Sequence, residues 1–118
     1  MKTLKMLSEE YHTILAKIQS LEDEALMFHS SLPTQYSESS GIQSIQSDIA
    51  HLFNEAEPLR LNIIAVISSL CKNSEHRLIL FDRLILNLPY AKIASNHHVS
   101  TNWARQLISK YTNTQTNT

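Results

Sequence analysis

At 118 residues, with 42% hydrophobic and 18% charged side chains and a net charge of −1, the chain has the composition of one or two small globular units and not of a disordered segment. A single glycine and three prolines predict helices in preference to strands. No run of residues approaches the roughly 20 uncharged apolar positions of a membrane span, and two adjacent acidic residues, Glu9 and Glu10, argue against a signal peptide.

The first predicted helix starts at Leu4, where apolar side chains begin to alternate at intervals of three and four residues. This spacing fills the a and d positions of a heptad repeat, the apolar stripe of a coiled coil. The pattern predicts one helix of about 25 residues, roughly 40 Å long. Its apolar positions are Leu4, Leu7, Tyr11, Ile14, Ile18, Leu21, Ala25 and Phe28.

A second heptad helix follows a polar segment at residues 31–41, which contains Pro33 and the only glycine and is therefore a predicted loop. Pro58 lies off the second apolar stripe, so we expect a kink near residues 54–57, with two abutting helices as the alternative. Together the two helices predict a long antiparallel coiled-coil hairpin. The second stripe consists of Ile42, Ile45, Ile49, Leu52, Ala56, Leu59, Ile63, Val66 and Leu70.

A third predicted helix covers residues 74–86, with Ser74 as its N-cap. It is apolar on almost every side, so we expect neighbouring helices to bury it. The single cysteine, Cys71, lies in an apolar neighbourhood that favours a buried structural thiol and a reducing cytoplasm.

Charge is distributed unevenly along the chain. Residues 1–71 contain four basic and nine acidic side chains, a net charge of −5, whereas residues 72–118 contain six basic and two acidic ones, a net charge of +4. A positive surface is the electrostatic signature of phosphate binding, so this excess favours a nucleic-acid partner for the C-terminal part.

Residues 88–110 have the pattern of two short helices joined by a tight turn. A helix-turn-helix needs a small residue where its helices cross, an apolar residue after the turn, and an N-cap for the second helix. Ala94, Val99 and Ser100 occupy those positions. No strand pattern is present, so the predicted fold is all-α: the hairpin followed by a C-terminal helix-turn-helix unit.

This region resembles region four of bacterial sigma factors. The layout of the whole chain is also similar to small phage-encoded transcription regulators of the ArpU type. The resemblance implies a phage- or prophage-encoded, sequence-specific DNA-binding regulator in the cytoplasm of a bacterial host. The chain departs from the pattern at His97, where Leu or Met is usual, and at His98, where Gly or Asn is usual and φ is positive. The matching residues are Ile93, Ala94, Val99, Ser100, Ala104 and Leu107.

The resemblance also implies which side chains bind DNA. Asn and Gln can bind adenine and Arg can bind guanine, each pair contributing about 1–3 kcal/mol of discrimination. The alternative is that the polar residues form only a solvated helix face. The side chains expected in the major groove are Thr101, Asn102, Arg105, Gln106 and Ser109, and those expected to contact phosphate are Tyr90, Lys92 and Lys110.

Other chemistry is not predicted. Adjacent His97 and His98 point in different directions and have no Cys or carboxylate at a zinc-like spacing, so we expect turn residues or phosphate contacts and no metal. Trp103 is expected to anchor helix packing, with base stacking as the alternative. No Ser/His/Asp pattern, Gly-rich phosphate loop or carboxylate pair in a plausible pocket is present, so we expect neither an enzyme nor a cofactor.

The predicted domains are a helical hairpin for oligomerisation or docking at residues 1–72, a sigma-like helix-turn-helix at 73–111, and a flexible tail at 112–118. The expected partners are double-stranded DNA, RNA polymerase and a second copy in a homodimer, with no membrane. Two alternatives remain open. The first is a protein-interaction module that binds RNA polymerase or another host protein without reading DNA, and the second is a structural helical assembly protein.

Overall fold

The structure is a computed structural model that describes residues 2–31 and 40–113. Within these residues the chain forms five α-helices and no β-strand, which confirms the predicted all-α class. None of these helices combines the length and apolar character needed to cross a membrane. In chain order they are α1 (Leu4–Ser31), α2 (Ser40–Leu70), α3 (Ser74–Leu84), α4 (Tyr90–His97) and α5 (Thr101–Thr112).

The predicted a and d positions form the buried side of α1. Leu4, Leu7, Tyr11 and Ile18 are buried, and the other described positions of the stripe are half-buried. The side chain of Phe28, the last predicted position, lies outside the described residues. Heptad spacing therefore identifies the apolar face of this 28-residue helix correctly.

Helix α2 is continuous through Pro58, which excludes the alternative of two abutting helices. The proline is exposed and lies off the apolar stripe. After Pro58, Ile63 and Ile67 are both fully buried, and because they are four residues apart they lie on one side of the helix. The stripe ends at Leu70, which is exposed at the last residue of the helix.

The predicted loop at residues 31–41 is shorter than expected at both ends. Ser31 closes α1, and Ser40 and Gly41 are already helical in α2. Residues 32–39 and the side chain of Ile42 lie outside the described residues, as do positions 114–118 of the predicted tail. Position 112 of that tail is the last residue of α5.

The start of α3 corrects one prediction, because its N-cap is Asn73 and not Ser74. The Asn73 side-chain oxygen accepts hydrogen bonds from the backbone N–H groups of Glu75 and His76, at 3.0 and 3.1 Å. These are two of the donors that a helix N-terminus leaves without backbone partners. Ser74 is thereby the first helical residue.

The end of α3 also differs from the prediction. The helix stops at Leu84, two residues early, and Asn87 then adopts a left-handed conformation with φ of 55°. The predicted burial of this helix by its neighbours is confirmed for Ile79, Leu80 and Leu84, which are buried. It is incomplete at two leucines, because Leu78 is 54% exposed and Leu86, two residues beyond the end of α3, is 60% exposed.

The chain divides into two compact units. The first consists of Met1–Glu10 together with Leu59–Thr118, and the second is Tyr11–Pro58. The first contains nine basic and four acidic side chains, a net charge of +5, and is called the basic unit here. The second contains one basic and seven acidic side chains, a net charge of −6, and is called the acidic unit. The predicted domain boundary after residue 72 stays a prediction about how the chain is organised.

The core of the basic unit draws on all five helices. Helices α3, α4 and α5 each pack against the other two. Ser8 in α1 donates a buried hydrogen bond of 2.9 Å to the carbonyl oxygen of Leu84, which ties the start of the chain to the end of α3. Cys71 is buried, as predicted. The largest fully buried side chains of this unit are Leu4, Ile63, Ile67, Leu80, Ile93 and Ile108.

Candidate nucleic-acid interface

The exposed side of α5 is polar. Ala104 and Ile108, four residues apart, are buried against the neighbouring helices. Asn102, Gln106 and Ser109 follow the spacing that places residues on one helix face, and all three are exposed. This set of three residues is called the reading face below. It presents two amides and a hydroxyl, each of which can donate and accept hydrogen bonds.

The remaining side chains predicted on α5 have different positions. Thr101 is half-buried at the first turn, so it is less accessible than the prediction supposed. Arg105 is exposed next to the reading face, and Lys110 is exposed near the end of the helix, with its ammonium 5.5 Å from the Tyr111 ring centroid. Lys92 is exposed on α4.

A side-chain cap fixes where α5 begins. The Ser100 hydroxyl accepts a hydrogen bond of 3.0 Å from the backbone N–H of Trp103, and the Ser100 carbonyl accepts one from Ala104 at 3.0 Å. Ser100 itself is extended, with φ of −75° and ψ of 151°. These bonds are those of an N-cap serine, so the predicted role of Ser100 is confirmed.

The turn before α5 contains a strained residue. His98 has φ of 57° and ψ of 41°, the left-handed conformation that Gly or Asn adopts most easily. The N–H of Val99 donates to the carbonyl of Ala94 at 3.1 Å, which is the six-residue bond of a Schellman motif. Position 98 therefore has the expected positive φ, although its residue is a histidine.

His97, the last residue of α4, does not extend toward solvent as a phosphate contact would. Its Nε2 lies 2.6 Å from a carboxylate oxygen of Asp82 in α3, and both side chains are largely buried. The pair joins α4 to α3 directly before the turn. Among the described residues, no group of three His, Cys, Asp or Glu side chains is arranged to hold a metal ion.

Tyr90 lies beside two arginines from neighbouring helices. The guanidinium carbon of Arg83, in α3, is 4.3 Å from the Tyr90 ring centroid, and that of Arg105, in α5, is 5.3 Å from it. Arg83 also donates a hydrogen bond of 3.0 Å to the carbonyl oxygen of Leu88. The half-buried ring of Tyr90 is therefore an aromatic platform for two cations.

Trp103 packs onto α3 at the other side of α5. Its ring meets the imidazole of His76 edge-on, with centroids 5.4 Å apart. The indole is nevertheless 39% exposed. The predicted packing role accounts for one edge of the ring, and the other edge remains on the surface.

A thiol and a phenol meet at the end of α5. A hydrogen bond between Tyr111 and Cys71 raises the pKa of the tyrosine hydroxyl above its ordinary value, and burial raises this pKa further. The carbonyl of Cys71 accepts a hydrogen bond from Arg77 at 3.2 Å. These bonds connect α5 and α3 to the segment between α2 and α3.

Two features of the site were missed by sequence reasoning. Arg83 and Asp82 belong to a helix that was interpreted only as buried packing, although they hold Tyr90 and His97. A local signal was available, because Asp82 is the last acidic residue of the chain and no Asp or Glu follows it. That acid-free stretch from residue 83 onward contains Arg83, Lys92, Arg105 and Lys110.

A scan against models of protein families finds no match to this chain, and searches of curated proteins and of solved structures find none either.

Proposed function

We propose that this chain is a sequence-specific DNA-binding regulator of transcription that reads the major groove with α5. In this proposal α4, the turn and α5 act as a helix-turn-helix. The observation that carries it is the reading face of α5, three exposed hydrogen-bonding side chains within a stretch that contains no carboxylate. The sequence around this helix therefore contains no acidic side chain that would repel DNA phosphates.

The chemistry of the reading face supports base recognition. Asn102 and Gln106 each present an amide that can bond adenine through both its donor and its acceptor, which contributes about 1–3 kcal/mol of discrimination per good pair. Lys92 and Lys110 are exposed and positive, so they suit phosphate contacts that set the register on the duplex without selecting a sequence.

The resemblance to region four of sigma factors and to ArpU-type regulators gives the proposal its biological setting. The protein would be encoded by a phage or prophage and act in the cytoplasm of the bacterial host. RNA polymerase is then the expected second partner. The charge contrast between the units supports a division of roles, since only the basic unit, at +5, attracts a polyanion.

We further propose that α1 and α2 pair as an antiparallel coiled-coil hairpin within one chain. In support, Ile18 and Ile45 in the acidic unit are buried without a second copy. A homodimer that reads two half-sites about one helical turn apart would therefore need another surface. Sedimentation equilibrium measures the oligomeric state directly, and a monomer at all concentrations would remove the homodimer from the proposal.

The test of DNA binding is a salt titration with a labelled random duplex, followed by selection of bound sequences from a random pool. We expect log K to fall linearly with log salt, with a slope of roughly −3 to −4 if all four cations of the acid-free stretch contact phosphate. Absence of binding at low salt would overturn the proposal. Enrichment of one sequence family would supply the operator.

Two variants separate base reading from phosphate contact. Gln106→Ala should reduce the preference for the selected duplex over a scrambled one by about tenfold, since one bidentate pair is lost. Lys110→Ala should weaken binding to both duplexes equally, because phosphate contacts are independent of sequence. Unchanged preference in Gln106→Ala would exclude this residue from the reading set.

A second candidate is a protein-interaction module that binds RNA polymerase or another host protein without reading DNA. The exposed leucines of the α3 region favour it, because large apolar side chains on a surface often mark protein contacts. Under this second candidate, Leu78→Ser with Leu86→Ser should abolish binding to purified RNA polymerase, and neither the wild type nor the variant should bind a duplex. Duplex binding by the wild type that the variant retains would favour the DNA-binding proposal.

A further inference from the structure

The Tyr90 platform consists of the Tyr90 ring and two arginines from separate helices, Arg83 in α3 and Arg105 in α5. Because both guanidinium distances are measured to one ring centroid, the two cations can be no farther apart than the sum of 4.3 and 5.3 Å. Both guanidinium carbons lie within the ~6 Å of a ring centroid at which an aromatic face attracts a cation, so Tyr90 holds two cations from separate helices near one ring.

Neither arginine has a carboxylate partner in residues 2–31 and 40–113. Asp82 is adjacent to Arg83 in sequence, but its carboxylate is bound by His97. Arg83 uses one N–H for the Leu88 carbonyl, and Arg105 forms no hydrogen bond within the described part of the chain. Most of the N–H donors of both guanidinium groups therefore remain available for a ligand.

We propose that Arg83, Tyr90 and Arg105 form a binding site for one phosphate group. Guanidinium groups bind phosphate oxygens through paired N–H donors, and two of them can contact both non-bridging oxygens of one phosphodiester. The Tyr90 ring would restrict both side chains before binding, which lowers the entropy cost of holding them on the ligand.

This inference rests on the proposed function for the source of the phosphate, which is the backbone of duplex DNA. It changes the role expected of Arg105 from the sequence. With its guanidinium held beside Tyr90 and Arg83, Arg105 binds the backbone and does not read guanine. Base recognition is left to the reading face, and Arg83 becomes a residue of the DNA interface.

The first experiment measures binding to the selected duplex and to its scrambled version over a range of salt. Arg105→Ala should weaken binding to both duplexes by the same factor, and because Arg83 still contacts the shared phosphate, the salt slope should become shallower by less than about 0.9, the value for one phosphate. The double variant Arg83→Ala/Arg105→Ala should make the slope shallower by about 0.9 and no more, because the two arginines share that phosphate. If Arg105→Ala weakens binding to the selected duplex and leaves binding to the scrambled duplex unchanged, the inference is overturned.

Matched variants control for fold and charge. Tyr90→Leu removes the aromatic face and should resemble Arg105→Ala. Lys17→Ala removes a cation from the acidic unit and should leave the slope unchanged. Since Arg83 also holds the Leu88 carbonyl, Arg83→Lys is included to keep a charge without the planar fork, and circular dichroism checks the helical content of each variant.

The second experiment uses inorganic phosphate and nuclear magnetic resonance of the arginine Nε–H groups. The signals of Arg83 and Arg105 should shift together along one saturation curve, and Tyr90→Leu should weaken that curve. Absence of a saturable shift at both residues would overturn the site. If the wild type binds phosphate in this way but no duplex, the site stands with a free phosphate group as its ligand and the DNA-binding proposal fails.

Discussion

At the scale of single residues, His98 is where the backbone departs most from what its side chain favours. A left-handed conformation costs an L-residue roughly 1–2 kcal/mol, whereas glycine adopts it freely but loses more backbone entropy on folding. We therefore expect His98→Gly to increase the free energy of unfolding by up to about 1 kcal/mol. Urea denaturation with an unchanged m-value measures this gain.

The control for that substitution is His98→Val, because a β-branched residue tolerates positive φ poorly. It should destabilise the fold. Asn87, with φ of 55°, offers a comparison, since asparagine already accepts this conformation and Asn87→Gly should change stability less. A loss of stability in His98→Gly would mean that the imidazole makes a contribution larger than the strain.

Tyr111 should make the fold sensitive to alkaline pH. Its pKa is raised in the folded state by the hydrogen bond to Cys71 and by burial, so folding favours the protonated phenol. The associated stability is fully present below the unfolded pKa of about 10 and is lost as pH rises through the higher folded value. Tyr111→Phe should therefore lose less stability than the wild type between neutral and strongly alkaline pH.

Chemical denaturation across that pH range provides the measurement. Cys71→Ala is the matched control, because it removes the hydrogen-bond partner and leaves the phenol in place. Its stability should decline less steeply than that of the wild type. Parallel pH profiles for the wild type and Tyr111→Phe would show that the raised pKa has no effect on stability.

At the scale of helices, the caps of α3 and α5 determine where two of the three packed helices begin. Ser100→Ala should reduce the free energy of unfolding by about 1 kcal/mol, because the N–H of Trp103 loses its acceptor. Ser100→Asp should retain most of the wild-type stability, since aspartate also accepts this bond. Thermal denaturation distinguishes the two, and equal losses would mean that the cap contributes nothing.

Local sequence patterns predict the buried faces of helices better than they predict helix ends or contacts between helices. The heptad stripes identify the buried faces of α1 and α2 because 3.6-residue periodicity depends only on the order of residues. The cap of α3 was misplaced because Asn73 and Ser74 are both good caps, and the chain direction after the buried Cys71 decides between them. The Tyr90 platform could not be predicted, because residues from three helices meet there only after packing.

At the scale of the whole molecule, opposite charges on the two units should affect the rate of the proposed association with DNA. The acidic unit, at −6, repels a polyanion over distances up to a Debye length of about 10 Å at 0.1 M salt. The triple variant Glu22→Gln, Asp23→Asn, Glu24→Gln should therefore increase the association rate at low salt. Stopped-flow fluorescence measures the rate.

That increase should disappear at high salt, because screening removes long-range repulsion and leaves local contacts. Substitution of the exposed Gln19 by Ala, on the same helix, leaves the charge unchanged and serves as the control. An effect of the triple variant that persists at high salt would indicate a direct role for these side chains and would contradict a long-range origin.

The hydrogen bond from Ser8 to Leu84 has a consequence for the synthesis of the protein. The basic unit contains the earliest helical turns of α1 and the last three helices, with the acidic unit inserted between them in the sequence. On the ribosome, Ser8 cannot donate to the Leu84 carbonyl until α3 has been synthesised, so this link between α1 and the C-terminal helices forms late. The acidic unit can fold earlier from contiguous chain, so the proposed DNA-binding competence would be the last property the nascent protein acquires.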